Sequence, residues 1–225
     1  MEQNLISQVI RSRRRTLTLE ITSDASLIVR APMRISVEDI HKIVQRKLPW
    51  ILKTQQRAKE KYRSVIKHQF LDGEEFLYLG KLYKLRLIED PISLLDFNGQ
   101  EFLLSQLYLA RAKVLFQEWY VKKATEIIPT KVKFYAQMAA LSYSRISITG
   151  ATRRWGSCTS KKTLNFSWRL MMTPQEVIDY VVVHEICHLA ELNHSSKFWD
   201  RVRALVPDYK QKQLWFRKNQ YLLSL

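Results

Sequence analysis

The run Val181-Val182-Val183-His184-Glu185-Ile186-Cys187-His188-Leu189-Ala190-Glu191-Leu192-Asn193-His194 holds the residues best able to do chemistry. His184 and His188 stand four apart. On an α-helix both imidazoles therefore leave one face, a turn apart, and can converge on a single divalent cation. Glu185 leaves the helix about 100° away. It does not readily join the same coordination sphere, but it can reach a water bound to the ion, as the general base of a metal-assisted hydrolysis does. A structural zinc takes four protein ligands, whereas a catalytic one takes three and keeps a position for water. His194 is the preferred third ligand. Glu191, on the same face as both histidines, is its rival, and Asp200 and Asp208 are more distant candidates. Cys158 and Cys187 are further thiolate candidates, although a small buried thiol is the commoner fate of such residues.

These side chains need elements to aim them. Thr173-Pro174-Gln175-Glu176 reads as a capping box with proline at the first helical position, and Ile178, Val181, Val182, Ile186 and Leu189 make the helix that follows a buried one. His194 comes six residues after His188, so the helix must end between them. Asn193 can take the left-handed conformation that stops it. Ahead of the helix, Arg145–Thr149 and residues 163–168 predict two strands of a hairpin, joined through Arg153-Arg154-Trp155-Gly156. Arg153 and Arg154 can hold a substrate carboxylate or phosphate bidentately, and Gly156 permits close backbone approach. The equal alternative has the arginines facing water and Trp155 filling core. Behind the site, Ser195 or Ser196 can cap a helix with Phe198, Trp199, Val202 and Leu205 inward, and Pro207-Asp208 starts a last helix. Both would support His194.

Upstream, residues 14–22 and 27–30 alternate as strands around a turn at Ser23-Asp24-Ala25-Ser26. Ser36 begins a helix, and a second runs past Pro49 to about Tyr62. Residues 70–105 read as β structure, with Asn98-Gly99 as a hairpin turn. Gln106–Ile128 has helical spacing, Pro129 is expected to end that helix, and residues 131–140 form another. Phe116, Trp119, Phe134 and Tyr135 are expected in the core.

The chain has 225 residues and a formal charge of +16. The excess is spread, with +6 in the first 100 residues and +10 in the rest. Such a field attracts polyanions, so nucleic acid and nucleotides join peptides and proteins as candidate partners. No DNA-reading motif accompanies the charge. The Arg11–Arg15 cluster reads more readily as a solvated strand edge than as a phosphate site. The N-terminal residues lack the apolar stretch of a signal peptide, and no run approaches a membrane span. Two cysteines build no disulfide framework, and a cytoplasmic location is the simplest expectation.

Several segments together resemble a family. Arg154-Trp155-Gly156-Ser157-Cys158, Leu164-Asn165-Phe166-Ser167-Trp168-Arg169-Leu170, the Val-Val-Val-His-Glu run, Asn193-His194-Ser195 and Phe198-Trp199 all resemble the YgjP-like metallopeptidase-domain family, relatives of the SprT and WLM zincins. A weaker likeness covers Arg30-Ala31-Pro32 and Tyr78-Leu79-Gly80. The His184–His194 run also has metzincin spacing, but Glu191 stands where those proteins carry glycine. The resemblance implies that His184, His188 and His194 hold zinc and that Glu185 is catalytic. In zincin-like folds a strand in the place of this 145–168 hairpin forms the upper rim of the cleft and can pair with an extended peptide substrate.

The expected protein is α+β: a β-rich N-terminal part with helices over 1–105, and a zincin-like core over 106–225 containing the H-E-x-x-H helix and a small sheet. The expected function is zinc-dependent hydrolysis, with one ion per chain, by a metallopeptidase using a water activated by Glu185. The alternatives are a metal-dependent nucleotide or phosphoester hydrolase, and a nucleic-acid-associated protein whose basic surface is its main feature.

Overall fold

A computed structural model describes residues 5–22, 25–63, 68–90, 94–152 and 154–225, with side chains described outside 57–63. The chain divides into two compact units, Met1–Ile66 and Lys67–Leu225.

In the first unit, β1 (Gln8–Ser12), β2 (Thr18–Ile21) and β3 (Leu27–Pro32) form a sheet in the order β1-β3-β2. β1 runs parallel to β3 and β2 antiparallel to it. β1 is an addition to the sequence expectation, because Gln8–Ser12 has too little apolar alternation to announce a strand. The expected turn at 23–26 lies partly outside the described residues, since Ser23 and Asp24 are among those not described. Arg11 is half-buried, and its guanidinium donates to the carbonyls of Pro32, Met33 and Ile35 at 3.3, 3.1 and 2.7 Å. It thereby secures the chain as it leaves β3. α1 (Val37–Arg46) starts where expected, with the Ser36 hydroxyl accepting from Asp39 N. α2 (Leu48–Arg63) tolerates Pro49 in its first turn, where an N–H has no intrahelical acceptor. Leu27, Val29, Ala31, Ile40, Val44 and Ile51 make this unit's core.

The second unit begins with β4 (Glu75–Tyr78), β5 (Lys81–Ile88), β6 (Leu95–Phe97) and β7 (Phe102–Ser105), ordered β4-β5-β7-β6. β6 and β7 pair antiparallel across the Asn98-Gly99 turn, as its dipeptide predicts. A 3-10 turn at Gln106–Arg111 leads into α3 (Ala112–Met138). The division between units falls at 66/67 and not near 105 because β4–β7 has no separate core. Phe76 stacks on Phe116 at 4.2 Å and Phe102 meets Trp119 edge-on at 5.0 Å, so strands and helix share one core.

α3 corrects the expected break. It continues through Pro129 without interruption. Ile128 and Val132 on either side are fully buried, and that packing outweighs the one hydrogen bond a proline removes. Of the aromatic residues expected inside, Phe116 and Trp119 are buried and Tyr135 half-buried, but Phe134 is 56% exposed.

The remaining elements surround the histidines. β8 (Arg145–Thr149), β9 (Gly156–Cys158) and β10 (Thr163–Ser167) form a sheet ordered β8-β10-β9. β8 is parallel to β10, so the expected hairpin between these two strands does not exist. The hairpin is β9–β10, with Gly156 opposite Phe166 and Cys158 opposite Leu164. α4 (Gln175–Cys187), α5 (Ser196–Leu205) and α6 (Tyr209–Asn219) follow. The architecture is α+β. No described helix is long and apolar enough to cross a membrane.

The candidate metal centre

α4 is the central helix of its unit. Val177, Ile178, Val182, Val183 and Ile186 are fully buried, with Val181 and Cys187 almost so. A run of three valines has modest helix propensity, and burial on nearly all sides holds it helical. The expected capping box at its start does not form. The Thr173 hydroxyl instead donates to Leu170 O at 2.8 Å, because Thr173 is itself buried beneath the preceding 3-10 turn. Position is set by packing. Leu79 N donates to Met171 O at 2.8 Å, and Gly80 abuts Pro174 so closely that a Cβ there would sit 2.7–2.9 Å from its atoms. Gly80 also has φ +80°, so glycine is needed there twice over. Lys131 of α3 pairs with Asp179 of α4 at 2.7 Å.

α4 ends at Cys187, with His188 as its C-cap in right-handed conformation. Asn193 is not left-handed, contrary to expectation, because the helix has already tightened and stopped through Leu189 N→Ile186 O and Ala190 N→Cys187 O bonds. The chain then brings His194 back over α4. Ligand-capable atoms of His184, His188 and His194 all lie within 4.8 Å of one another, and His184 Nε2 is 3.0 Å from His194 Nε2.

The surroundings favour neutral rings at His184 and His188. His188 Nδ1 lies 3.0 Å from Glu191 O. A carbonyl only accepts, so Nδ1 carries the proton and Nε2 presents a lone pair. Burial, with His188 and His194 beside it, holds the His184 imidazole down to about 3. Burial likewise lowers His188, against the raising influence of the Glu191 carbonyl. Two nitrogens 3.0 Å apart need a proton or a cation between them. Three imidazoles converging in this way are a donor set suited to zinc. Glu191 thus takes part through its backbone; its carboxylate faces Arg201 at 4.0 Å, outside the histidine cluster. Asp200 and Asp208 pair with Arg203 and Lys212 instead. Neither Cys158 nor Cys187 belongs to a ligand cluster among the described residues. His194 is exposed, and its support is aromatic: Trp199 stacks on it at 5.5 Å and 24°, and Phe198 meets it edge-on at 4.8 Å.

Glu185 is 5% exposed, and burial pushes its carboxyl up to about 8. Its side chain rests on the backbone of Gly156: a Cβ there would lie 2.5–2.8 Å from Glu185 Cγ, Oε1 and Cδ. The close approach expected at Gly156 is therefore made to the glutamate of its own chain. His184, Glu185, Gly156 and Arg154 line one cleft of about 500 Å³. Arg153 lies outside the described residues. The far wall comes from Tyr180 of α4 and from Gln213, Phe216 and Arg217 of α6, which the sequence reading did not single out. Their only signal was helical spacing in a charged helix. Gln213 reaches the Tyr180 hydroxyl at 3.2 Å, and Phe216 stacks on Trp155 at 5.3 Å.

A family model described as YgjP-like, metallopeptidase domain, matches residues 15–219. No curated protein matches. Among solved structures, the metallopeptidase zymogen of Pyrococcus abyssi abylysin is similar at 17% identity, with a TM-score of 0.39 over 44% of this chain and all of that one. The metallopeptidase zymogen of Methanocaldococcus jannaschii jannalysin is similar at 21% identity, with a TM-score of 0.38 over 41% of this chain and 95% of that one. With the family model spanning nearly the whole sequence, the chain belongs to the YgjP-like family of metallopeptidase domains.

Proposed function

We propose that this chain is a zinc-dependent metallopeptidase of zincin-like core, in which His184, His188 and His194 hold the ion and Glu185 is the general base. One observation carries the reading: three imidazoles from a helix and the segment after it meet within 4.8 Å beside a buried glutamate that opens onto a cleft. Zinc bound there supplies Lewis acidity toward a substrate carbonyl and a water. Glu185 takes the proton of the attacking water on a carboxylate oxygen and passes it to the leaving nitrogen. Gly156 holds that carboxylate against the β9 backbone and limits its rotamers. The Nδ1 bond of His188 to Glu191 O fixes the ring plane. β9 is an edge strand of its sheet, which supports pairing with an extended peptide. Metal analysis of the purified protein, run with a peptide-hydrolysis screen, tests the reading. Glu185→Gln is expected to keep the ion and lose activity by about 10²–10⁴-fold. Full activity in that variant would remove Glu185 from the chemistry.

A second reading, hydrolysis of a nucleotide phosphoanhydride or a phosphoester at the same centre, is favoured by Arg154 and Arg217 on the cleft wall. Nucleotide turnover without peptide cleavage would select it.

A further inference from the structure

The cleft beside Glu185 is built in two tiers. Its floor is apolar: half-buried Trp155 stacks on buried Phe216, with buried Val181 and Tyr180 beside them. Arg154 and Arg217, by contrast, are exposed residues of the same lining, and neither forms an ion pair among the described residues. Glu185 is the acidic member of the lining. A side chain entering the floor must therefore be apolar, since an acidic one would lose its hydration. A negative charge is welcome only nearer solvent, where two guanidinium groups can share it.

An apolar side chain below and a carboxylate above describe the last residue of a peptide. Resting on the peptidase reading, we propose that this cleft seats an apolar C-terminal residue, with its free α-carboxylate held by Arg154 and Arg217, and that the chain is a carboxypeptidase. Because His184 and Glu185 line the same cleft, the seated residue adjoins the scissile bond. Because the carboxylate is the end of the chain, that residue lies on the leaving-amine side. The step is hydrolysis of the final peptide bond. The carbonyl carbon–nitrogen bond breaks, the water's hydroxyl joins the acyl carbon, and its other proton goes through Glu185 to the nitrogen, releasing one apolar amino acid.

Calorimetric titration of the metal-loaded protein with N-acetyl-phenylalanine and with its C-terminal amide tests the proposal, beside cleavage of a peptide ending in phenylalanine acid or amide. The acid is expected to bind at least about tenfold more tightly than the amide, as one charge-assisted contact implies. That preference falls to about twofold or less in the Arg154→Gln/Arg217→Gln double variant and is partly kept by Arg217→Lys, with the cleavage effect in KM more than in kcat. Equal binding of acid and amide by the wild type, an unchanged preference in the double variant, or competition by inorganic phosphate as strong as by the acid would each overturn it. Cleavage that ignores the C-terminal group overturns this cleft assignment and leaves the peptidase reading standing. Acid-selective binding with no cleavage of any peptide overturns the carboxypeptidase assignment together with the peptidase reading, and leaves only the carboxylate seat.

Discussion

The histidine cluster has two halves that are held in different ways. His184 and His188 stand at the end of α4, whose neighbours are buried on almost every side. Their spacing follows from the helix, and moving either ring would require moving the core. His194 is exposed on the segment between α4 and α5, and two rings, Phe198 and Trp199, position it. Those rings are fixed in turn by α5, whose start is capped by Ser195. The helical half is set by backbone geometry and the return half by packing. Disturbing the first should therefore abolish the site, and disturbing the second should weaken it by degrees.

The largest effect is expected on the helical side. His188→Ala should remove the ion entirely, read as loss of metal on purification, while circular dichroism reports an intact fold. Metal retained at full stoichiometry would show that the ligands lie elsewhere. Next comes Gly156→Ala. Its new methyl would stand 2.5–2.8 Å from a Glu185 side chain that has little room to move. A catalytic group displaced by about 1 Å costs on the order of 10²-fold in rate. Metal content should be unchanged, so unaltered kinetics would deny Gly156 its positioning role. On the return side, Trp199→Ala should lower metal affinity by roughly tenfold without abolishing it, the range found for groups that orient ligands. Competition with a chromophoric chelator measures this, and complete metal loss would erase the distinction between the halves. Ser195→Ala should be mildest. Its cap bond is 3.3 Å long, and losing a cap costs about 1 kcal/mol, or a few degrees of Tm.

The same contrast explains what could be read from the sequence. The i, i+4 histidines and the glutamate between them were legible because a helix converts spacing into direction without reference to the rest of the fold. So were the Ser36 cap and the Asn98-Gly99 turn, which are local devices. Features that depend on distant partners were not. Pro129 signals a stop, yet Ile128 and Val132 are buried on both sides and the helix continues. Thr173 looks like a cap, yet a buried carbonyl claims its hydroxyl. Asn193 looks like a terminator, yet α4 has already ended at Cys187. Gly156 announced a close approach but not to what. Gln213, Phe216 and Arg217 carried no motif, because their role comes only from α6 packing beside β9 and α4.

A cation held by these three imidazoles would keep one position for solvent. X-ray absorption at the zinc edge of the purified, metal-loaded protein tests it most directly. One zinc per chain should appear with three imidazole nitrogens at about 2.0–2.1 Å and one further light-atom ligand. A sulfur ligand at about 2.3 Å, a fourth imidazole, or no bound metal would contradict the account.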